Sequence, residues 1–521
     1  MSKTTKRTAF ILMIIILTSK VTGFLRDIVL GQIFGAGNVT DAYLTALNIP
    51  VVLFDGISAS LGTTFIPMYF SIKDKMGQEE VNKFTSNILN IITGLSIIFI
   101  IIGLIFTPYI VKIFAMGFKG EVLDLTISYS KILLFSMIFI AANGLISSFL
   151  IASGDAYISG LVTIPFNIFA ILAIFLASIT NSYVMVYGTL FAYIAQLVFQ
   201  IPFLKKKGYK HKFIIDFKDE NIKKILYLIV PVFLGSYVNQ INTVVNRTLA
   251  STLESGTITA LNYANKLNMF AVGILVISLS TVLYPVLSKL ASENKFKAFK
   301  YNLSKSLNII IITMVPVMII TMVLSTPIIK MLFEKGSFDS RATYLTSTAL
   351  FYYSIGIVAY GLRDILSKAF YSLQDTKTPV RNASISVIVN VILSIILVKY
   401  MQIGGLALAG SLSAVIATLL MLVSLRKKIG KLGLKSTIIT FVKVVISSLI
   451  MGYIIHISYG YIMQIGINII HETRKLIAVS CTISALLGMI VYVVLTVVLN
   501  IKEAKELIAL SKSKAIALIR R

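Results

Sequence analysis

The sequence predicts an all-α integral membrane protein with fourteen transmembrane helices. Its mean hydropathy is +0.90 and only 13% of its residues are charged. Apolar stretches of about 20 residues, each able to cross roughly 30 Å of hydrocarbon, recur along the whole chain. They lack the alternation of barrel strands, so we expect helices that satisfy their own backbone groups. The predicted spans are approximately 8–32, 41–70, 86–113, 124–152, 157–179, 182–203, 224–249, 257–288, 304–329, 342–371, 379–399, 404–425, 437–460 and 476–499.

The first element resembles a signal peptide, because Lys3, Lys6 and Arg7 precede the apolar run 9–17. No small-residue cleavage site follows, and the apolar pattern resumes past Arg26. We therefore expect a retained first helix that is inserted but not cut.

The connections between later spans carry the charge in an alternating pattern. The net charge is +27, yet loops 33–40 and 180–181 have no charged residue. This is the positive-inside pattern, which places both termini in the cytoplasm and the basic loops against anionic lipid headgroups, and it argues against nucleic-acid binding. The loop 330–341 is an exception, since it is basic where a bare loop is expected. The basic loops lie within 3–7, 73–83, 205–212, 295–300 and 426–435.

The chain also predicts an internal repeat and four segments. Small and turn residues of the second span recur in step about 218 residues later, which indicates duplicated halves, although generic helix packing also selects small residues. A basic amphipathic tail lying on the inner leaflet has a solvated helix as its alternative. The predicted segments are a six-helix lobe at 1–222, a pseudo-symmetric six-helix lobe at 223–430, two extra helices at 431–500 and the cytoplasmic tail at 501–521.

Of the cations inside predicted spans, three are candidates for a functional site: Lys20 and Arg26 in the first, and Lys266 in the eighth. A charge at mid-bilayer depth costs roughly 2.5–3.5 kcal/mol, so it normally faces a wet cavity or a partner. Arginine binds phosphate bidentately and lysine acts as a point charge. We therefore predict that these residues line a cavity for an anionic cargo, with snorkelling to an interface as the alternative for Lys266.

Arg26 has a structural alternative as well. It can pair with Asp27 or Asp41 and merely hold helices together. Positions 20 and 27 share a helical face, whereas Arg26 points elsewhere unless Gly23 bends the helix.

Two acids complete the predicted substrate site. Asp41 opens the second span, where it either favours a helix N-terminus or pairs with Arg26. Asp55 lies deeper in the same span and is a candidate proton or cation site, or a counter-ion.

Enzyme signatures are missing from the sequence. Its three histidines show no metal-ligand spacing, and no phosphate-binding loop or acidic cluster for Mg²⁺ occurs. The single cysteine, Cys481, excludes a disulfide framework. We expect a transporter without a cofactor, driven by a coupling cation, the membrane potential or consumption of its cargo.

Several motifs together resemble the MurJ (MviN) lipid II flippases of the multidrug/oligosaccharidyl-lipid/polysaccharide exporter superfamily. The resemblance covers nearly the whole chain, and its combination of motifs is specific. They are Ser19–Asp27, Phe34–Gly37, Thr40–Ala42, Phe65–Pro67, Tyr263–Leu267, Leu332–Phe338 and Ala369–Pro379.

This resemblance implies a fourteen-helix flippase of the bacterial cytoplasmic membrane. It would move lipid II, the undecaprenyl-pyrophosphate-linked peptidoglycan precursor, from the inner to the outer leaflet. Two lobes would alternate access around a cationic cavity, and the last two helices would form a groove for the prenyl tail. By position, Lys20, Arg26 and Lys266 resemble the family's essential cations, and Asp41 resembles an essential acid.

The chain departs from the family pattern in two respects. Lys20 and Lys266 replace the usual arginines, and the second span has no counterpart of a further cavity arginine. Some members bind sodium through acids on helices seven and eleven. The matching positions here are Asn246, Asn390 and Ser394, which makes them weak candidates for a sodium site.

Three other functions remain open at this stage. An exporter of another polyprenyl-linked oligosaccharide, such as a capsule or teichoic-type precursor, would need the same phosphate chemistry. A cation-coupled drug exporter is disfavoured by the positive cavity, because its cargo is usually cationic. A membrane glycosyltransferase is disfavoured by the missing acidic metal cluster.

Overall fold

The computed structural model describes residues 3–470, 472–506 and 508–509, and within these ranges the chain forms helices and short connections with no strand. The side chains of residues 3–13, of Asp55 and of scattered positions from 59 to 282 are outside this description. The prediction of an all-α protein is confirmed. The helices of the described ranges are α1 (Lys3–Phe34), α2 (Asn38–Phe114), α3 (Glu121–Leu133), α4 (Ser136–Ala152), α5 (Ala156–Leu161), α6 (Thr163–Ser178), α7 (Ser182–Lys206), α8 (Glu220–Ser251), α9 (Thr257–Ser292), α10 (Phe296–Val323), α11 (Ser325–Leu332), α12 (Ser340–Ser354), α13 (Ile357–Ser372), α14 (Lys377–Ile429), α15 (Lys435–Gly466) and α16 (Thr473–Val498).

Two of these helices contain two predicted spans each. At ~1.5 Å per residue, a straight α2 would extend over roughly 115 Å, several times the thickness of the hydrocarbon core. Instead it breaks at Gly77, which has φ 85° and ψ −179°. α14 breaks in the same way at Gln402, with φ 47° and ψ −124°. Left-handed backbone interrupts each long helix where the sequence predicts a connection between spans.

Many described helices are suited to a membrane. Seven are long and apolar enough to cross one, or up to nine if two bent pairs, α3 with α4 and α12 with α13, each form one span. Each of the fourteen predicted segments falls on helical residues, but α1, α8 and α9 are not among these seven or nine. The number fourteen therefore stays a prediction, whereas a multi-pass membrane protein is confirmed.

The chain divides into two compact units. The first runs to Thr259 and includes Lys335–Asp339, and the second comprises Ala260–Glu334 and the chain from Ser340 onward. α8 packs on α2 and belongs to the first unit, although the predicted first lobe ends at residue 222. The lobe boundaries and the internal repeat stay predictions.

In the first unit, the two halves of α2 fold back on each other. Phe65 and Phe84 stack with ring centroids 5.8 Å apart. In a straight helix these residues would be separated by roughly 28 Å along the axis. Tyr69 packs edge-on against Phe149 of α4, at 5.4 Å, and extends the same buried cluster.

In the second unit, α10 supplies the centre of the core. Leu307, Ile311 and Val315 are at most 3% exposed, and α10 contacts both α13 and α15. Tyr492 of α16 donates a hydrogen bond to the Ile312 carbonyl at 2.7 Å, so its hydroxyl is satisfied inside the apolar interior.

The start of the predicted tail also packs against α10. Residues 502–506 are helical, and Glu503 accepts a hydrogen bond from Asn308 at 2.7 Å. Glu506 pairs with Lys305 at 2.6 Å. The tail at 501–521 stays a prediction, because residues 507 and 510–521 lie outside the described part of the chain.

Candidate functional site

A cavity of about 480 Å³ lies in the first unit among α1, α5, α6 and α7. Lys20 and Arg26 of α1 both line it, so the structure brings two of the three predicted cations to one cavity. Its remaining lining residues are Ile16, Ser19, Ser159, Gly160, Thr163, Phe166, Asn167, Tyr193 and Gln196.

The guanidinium of Arg26 is anchored but not saturated. Its side chain is 17% exposed, and Nη2 and Nε donate to Asp27 Oδ1 at 3.0 and 3.3 Å. Nη1 donates to Asn167 Oδ1 at 3.3 Å, and the Phe166 ring lies 5.5 Å away. Arginine has five N–H donors, and these bonds use three of them within the described structure. Two donors at the cavity therefore remain for an anion.

Lys20 is half-buried at the same cavity. Among the described residues, no hydrogen bond or ion pair joins its ammonium to a partner. α1 continues through Gly23 as one helix, and Arg26 lines the cavity together with Lys20. The alternative in which Asp27 pairs with Arg26 is observed, and it coexists with cavity lining.

Asp41 lies in a different environment. It is 3% exposed, and its carboxylate accepts bonds from Gly256 N (2.7 Å), Thr259 N (2.8 Å) and Thr259 Oγ1 (2.5 Å). These donors lie at the start of α9, where N–H groups have no partner within the helix. Asp41 thus serves a helix N-terminus, that of α9, and it makes no bond to Arg26 in the described structure.

The other two predicted substrate-site residues are not brought to this cavity by the described contacts. Lys266 belongs to the second unit, where it is half-buried on α9. One turn earlier, Tyr263 stacks on Phe333 at 4.8 Å. Asp55 lies in α2, but its side chain is outside the described structure.

A chain of hydrogen bonds from α4 and α7 ends at the cavity. Ser147 Oγ donates to Gln200 Oε1 (3.0 Å), and Gln200 Nε2 donates to Asn143 Oδ1 (2.9 Å). Asn143 Nδ2 then donates to Gln196 Oε1 (3.1 Å). Gln200 and Asn143 also donate to the backbone carbonyls of Gln196 and Tyr193, which can only accept.

This chain fixes which atom Gln196 offers to the cavity. The bonds to these carbonyls, at 3.4 and 3.5 Å, assign the orientation of both neighbouring amides and direct the oxygen of Gln196 toward Asn143. Its Nε2 group, a neutral double donor, has no hydrogen-bond partner among the described residues. The cavity therefore presents donors from Arg26, Lys20 and Gln196, a set suited to phosphate or carbonyl oxygens.

Known proteins resemble this chain over most of its length. The family model described as "Lipid II flippase MurJ" matches residues 30–474. The chain belongs to the MurJ family. A "Probable lipid II flippase MurJ" of Buchnera aphidicola subsp. Schizaphis graminum is 32% identical over 415 residues, which cover 77% of this chain and 79% of the relative. A family member from Haemophilus influenzae is 27% identical over 84% of this chain and 89% of its own length.

Solved structures include a member of the same family and a protein with the same fold. "Lipid II flippase MurJ, inward closed conformation" matches with a TM-score of 0.78 and 27% identity, over 94% of this chain and 98% of that one. An inward-facing MATE-family multidrug transporter matches with a TM-score of 0.67 at 16% identity, over 81% and 99% of the chains, which shows a shared fold.

The positions that match the sodium ligands of some MurJ family members are polar but uncharged. Ser394 Oγ lies 3.5 Å from Asn390 Oδ1, and both residues are buried in α14. Asn246 Nδ2 lies 3.5 Å from Asn242 Oδ1 in α8. No group of three His, Cys, Asp or Glu side chains that could hold a metal occurs in the described ranges. A sodium site at these positions stays a prediction.

Sequence reasoning missed Asn167 and Gln196. Both are amides within apolar runs, and an uncharged polar side chain is a weak signal because helix packing in membranes also uses such residues. Only the hydrogen bonds to Arg26 and Asn143 distinguish them from ordinary packing residues.

Proposed function

We propose that this chain moves lipid II from the inner to the outer leaflet of the bacterial cytoplasmic membrane by alternating access, as a transporter without a catalytic step. Membership of the MurJ family supports this function. The observation that carries the proposal is Arg26, which holds two unused N–H donors at a cavity that Lys20 also lines.

The charges of the cavity favour a pyrophosphate. Lys20 and Arg26 face one carboxylate, that of Asp27, so the site keeps a positive excess before cargo enters. Attraction between opposite charges is several times stronger in such a partly dry site than in bulk water. The phosphate oxygens of lipid II would bind Arg26 and Lys20, and Lys266 and Asp41 would contribute in other parts of the transport cycle. Asp55 is a further candidate on α2.

The size of the cavity favours the pyrophosphate end of the molecule over the whole headgroup. Binding pockets for small molecules measure roughly 300–1,000 Å³. A cavity of about 480 Å³ lies in the lower part of this range, so it would take the diphosphate end and leave the rest of the headgroup outside.

The prenyl tail would stay in lipid beside α15 and α16. Leu449, Tyr453 and Ile457 of α15 are 56%, 67% and 52% exposed, and they are spaced four residues apart along one helix face. Leu486 and Ile490 of α16 are 59% and 61% exposed in the same way. Apolar faces of this kind fit the acyl and prenyl chains of a bilayer.

Orientation and energy source belong to the same proposal. Both termini would be cytoplasmic, and the basic loops would contact anionic lipid headgroups. A coupling cation or the membrane potential would reset the transporter, because the sequence contains no nucleotide-binding loop.

The test uses a cell in which the resident flippase can be depleted. Expression of this chain should restore growth and prevent lipid II from accumulating in the inner leaflet. Arg26→Gln, produced at the same level, should do neither. Reconstituted protein supplied with defined lipid-linked sugars would separate lipid II from capsule or teichoic-type precursors. Transport of those precursors without lipid II would overturn the proposal.

A further inference from the structure

The segment 208–218, called the strap here, joins the end of α7 at Lys206 to the start of α8 at Glu220. α7 is one of the helices suited to crossing a membrane, and α8 contains a predicted span. The strap is therefore confined to within a few residues of the bilayer surface.

Polar side chains of the second half of α2 fix the backbone of the strap. Asn82, Asn87 and Asn90 share one side of α2, together with Ser86. They satisfy strap groups that have no helix or sheet partner, so the segment is ordered without secondary structure. The bonds run from Asn82 Nδ2 to the Gly208 oxygen (2.8 Å), from Asn90 Nδ2 to the Lys212 and Ile214 oxygens (3.0 and 2.9 Å), from Lys212 N to Ser86 Oγ (3.1 Å), and between Asn87 and Asp216 in both directions (2.9 Å each).

With its backbone held in this way, the strap turns large apolar side chains outward. Phe213 is 94% exposed, Ile215 63% and Phe217 57%. They occupy alternate positions, as expected for extended chain with one side against α2. Single exposed apolar residues are common on proteins, but three in five positions of a fixed segment at a membrane surface indicate a contact site.

The charges around the strap indicate which kind of surface it contacts. Residues 205–224 contain eight lysines and three acids. Asp219 caps α8 through Asn221 N at 2.7 Å, and Asp216 accepts from Lys218 N at 2.8 Å, so two of these acids are bound by backbone. Lys212 pairs with Glu79 at 2.8 Å. Lys207 also pairs with Asp155 at 3.1 Å. The eight lysines outnumber the three acids of this segment together with Glu79 and Asp155, so the surface that carries Phe213 is basic as well as apolar.

We propose that the strap is an interfacial anchor, which inserts Phe213, Ile215 and Phe217 among the lipids of an anionic leaflet. Interfacial segments of this type combine apolar insertion with attraction of lysines to acidic headgroups. The general contact between basic loops and lipid headgroups is here assigned to one segment, and it includes insertion of apolar side chains into the leaflet. It depends on membrane embedding and not on the identity of the cargo.

The sequence offers a clean way to test this anchor, because it contains no tryptophan. Phe213→Trp in the full chain would place a single indole on the strap, at a position too exposed to disturb the core. The protein would be placed in nanodiscs of phosphatidylglycerol or of phosphatidylcholine. Lipids brominated in their acyl chains would report insertion, and iodide in the buffer would report contact with water.

We expect blue-shifted emission, quenching by brominated lipid and protection from iodide in phosphatidylglycerol, with weaker effects in phosphatidylcholine. Adding Lys210→Gln and Lys218→Gln should reduce the ratio of inserted to free strap in phosphatidylglycerol roughly fivefold per lysine. Ile105→Trp, on the exposed apolar face of α2, is the matched reference and should be quenched by brominated chains in both lipids.

Two results would overturn the proposal. Red-shifted emission quenched by iodide in both lipids would show that the strap stands in water. Blue-shifted emission that neither quencher affects would show burial against protein, as for a docking surface for a soluble partner. Because the fluorescence does not involve lipid II transport, either result leaves the proposed flippase function intact.

Discussion

Arg26 and Asp41 are both charged residues in an apolar chain, and the sequence predicts both for the substrate site. The structure separates them by their hydrogen bonds. Arg26 keeps two N–H donors at a cavity, whereas the Asp41 carboxylate is 3% exposed and receives three bonds from the start of α9. A charge that keeps donors at a cavity is available to cargo, whereas in this structure the buried Asp41 carboxylate binds the N-terminus of α9.

The largest effect should come from Arg26. Arg26→Gln removes charge-assisted bonds worth roughly 1.5–3 kcal/mol each, so lipid II affinity should fall at least tenfold and growth of a depleted cell should fail. Arg26→Lys should keep part of the affinity because the charge remains. Binding of lipid II to purified protein measures the loss.

The control for Arg26 concerns Asp27, whose ion pair with Arg26 the variant Arg26→Gln would break. The double variant Arg26→Gln/Asp27→Asn should recover thermal stability but not lipid II binding. Full growth of Arg26→Gln at normal protein level would remove Arg26 from the site.

The second-largest effect should come from Asp41, and it should be a loss of stability and not of lipid II binding. Asp41→Ala leaves three buried donors unpaired, which should cost roughly 1–3 kcal/mol of stability per unsatisfied group and lower the melting temperature. Lipid II affinity of the folded fraction should stay near the parent value. Thr259→Val removes only the bond from the Thr259 hydroxyl to Asp41, so it should lower the melting temperature less than Asp41→Ala does. Lost affinity at an unchanged melting temperature would instead place Asp41 in the binding site.

Substitutions of Gln196 test whether a neutral donor at the cavity binds cargo, and they can be made with side chains of nearly the same size. Gln196→Glu keeps an oxygen for Asn143 but replaces the cavity-facing donor with a negative charge. Repulsion at close range should weaken lipid II binding about tenfold. Gln196→Leu should weaken it only severalfold, because a neutral hydrogen bond contributes roughly 0.5–1.5 kcal/mol. Equal affinities for both variants would show that the donor does not touch the cargo.

Lys20 should show a smaller, salt-dependent effect. As a half-buried point charge it adds attraction without fixed geometry, so Lys20→Gln should weaken binding severalfold and flatten its dependence on salt. Lys20→Arg should bind at least as well as the parent. A titration of lipid II binding at several salt concentrations separates the two variants, and an identical salt dependence would contradict the assignment.

The smallest effect lies outside the membrane, at Asp375 between α13 and α14. Burial raises the pKa of this carboxyl, but hydrogen bonds from Lys428 and Thr378 outweigh that effect and lower the pKa to about 2. The resulting stability is present above the unfolded pKa and is lost as the pH falls through about 2. Asp375→Asn should lower stability by a few tenths to about 1 kcal/mol at neutral pH, a difference that vanishes near pH 2 in thermal melts. A constant difference at all pH values would exclude the ion pair as its cause.

Hydropathy predicted the helices well, because each span must satisfy its backbone within itself. It also indicated the breaks inside α2 and α14, where apolar runs are interrupted. The contacts of the charged residues were harder to predict. Asp41 was expected either at a helix N-terminus or beside Arg26, and its partner is the start of α9, more than 200 positions away in the chain.

The missed residues share one cause. Asn167 and Gln196 owe their role to neighbours on other helices, and the spacing of one helix does not reveal such contacts. A charged residue in an apolar run is unusual enough to indicate a function, whereas an amide there is not. The donors and acceptors along Ser147, Gln200 and Asn143 can be assigned only when the packing of α4 against α7 is known.

The turn of α2 at Gly77 has a consequence for biogenesis. Its φ of 85° is easily adopted by glycine alone, and the Phe65–Phe84 stack joins the two limbs directly across it. Phe65 can reach its packing partner only after the chain has been synthesised past Phe84. We therefore expect the two limbs of α2 to complete their packing late, after both have entered the membrane.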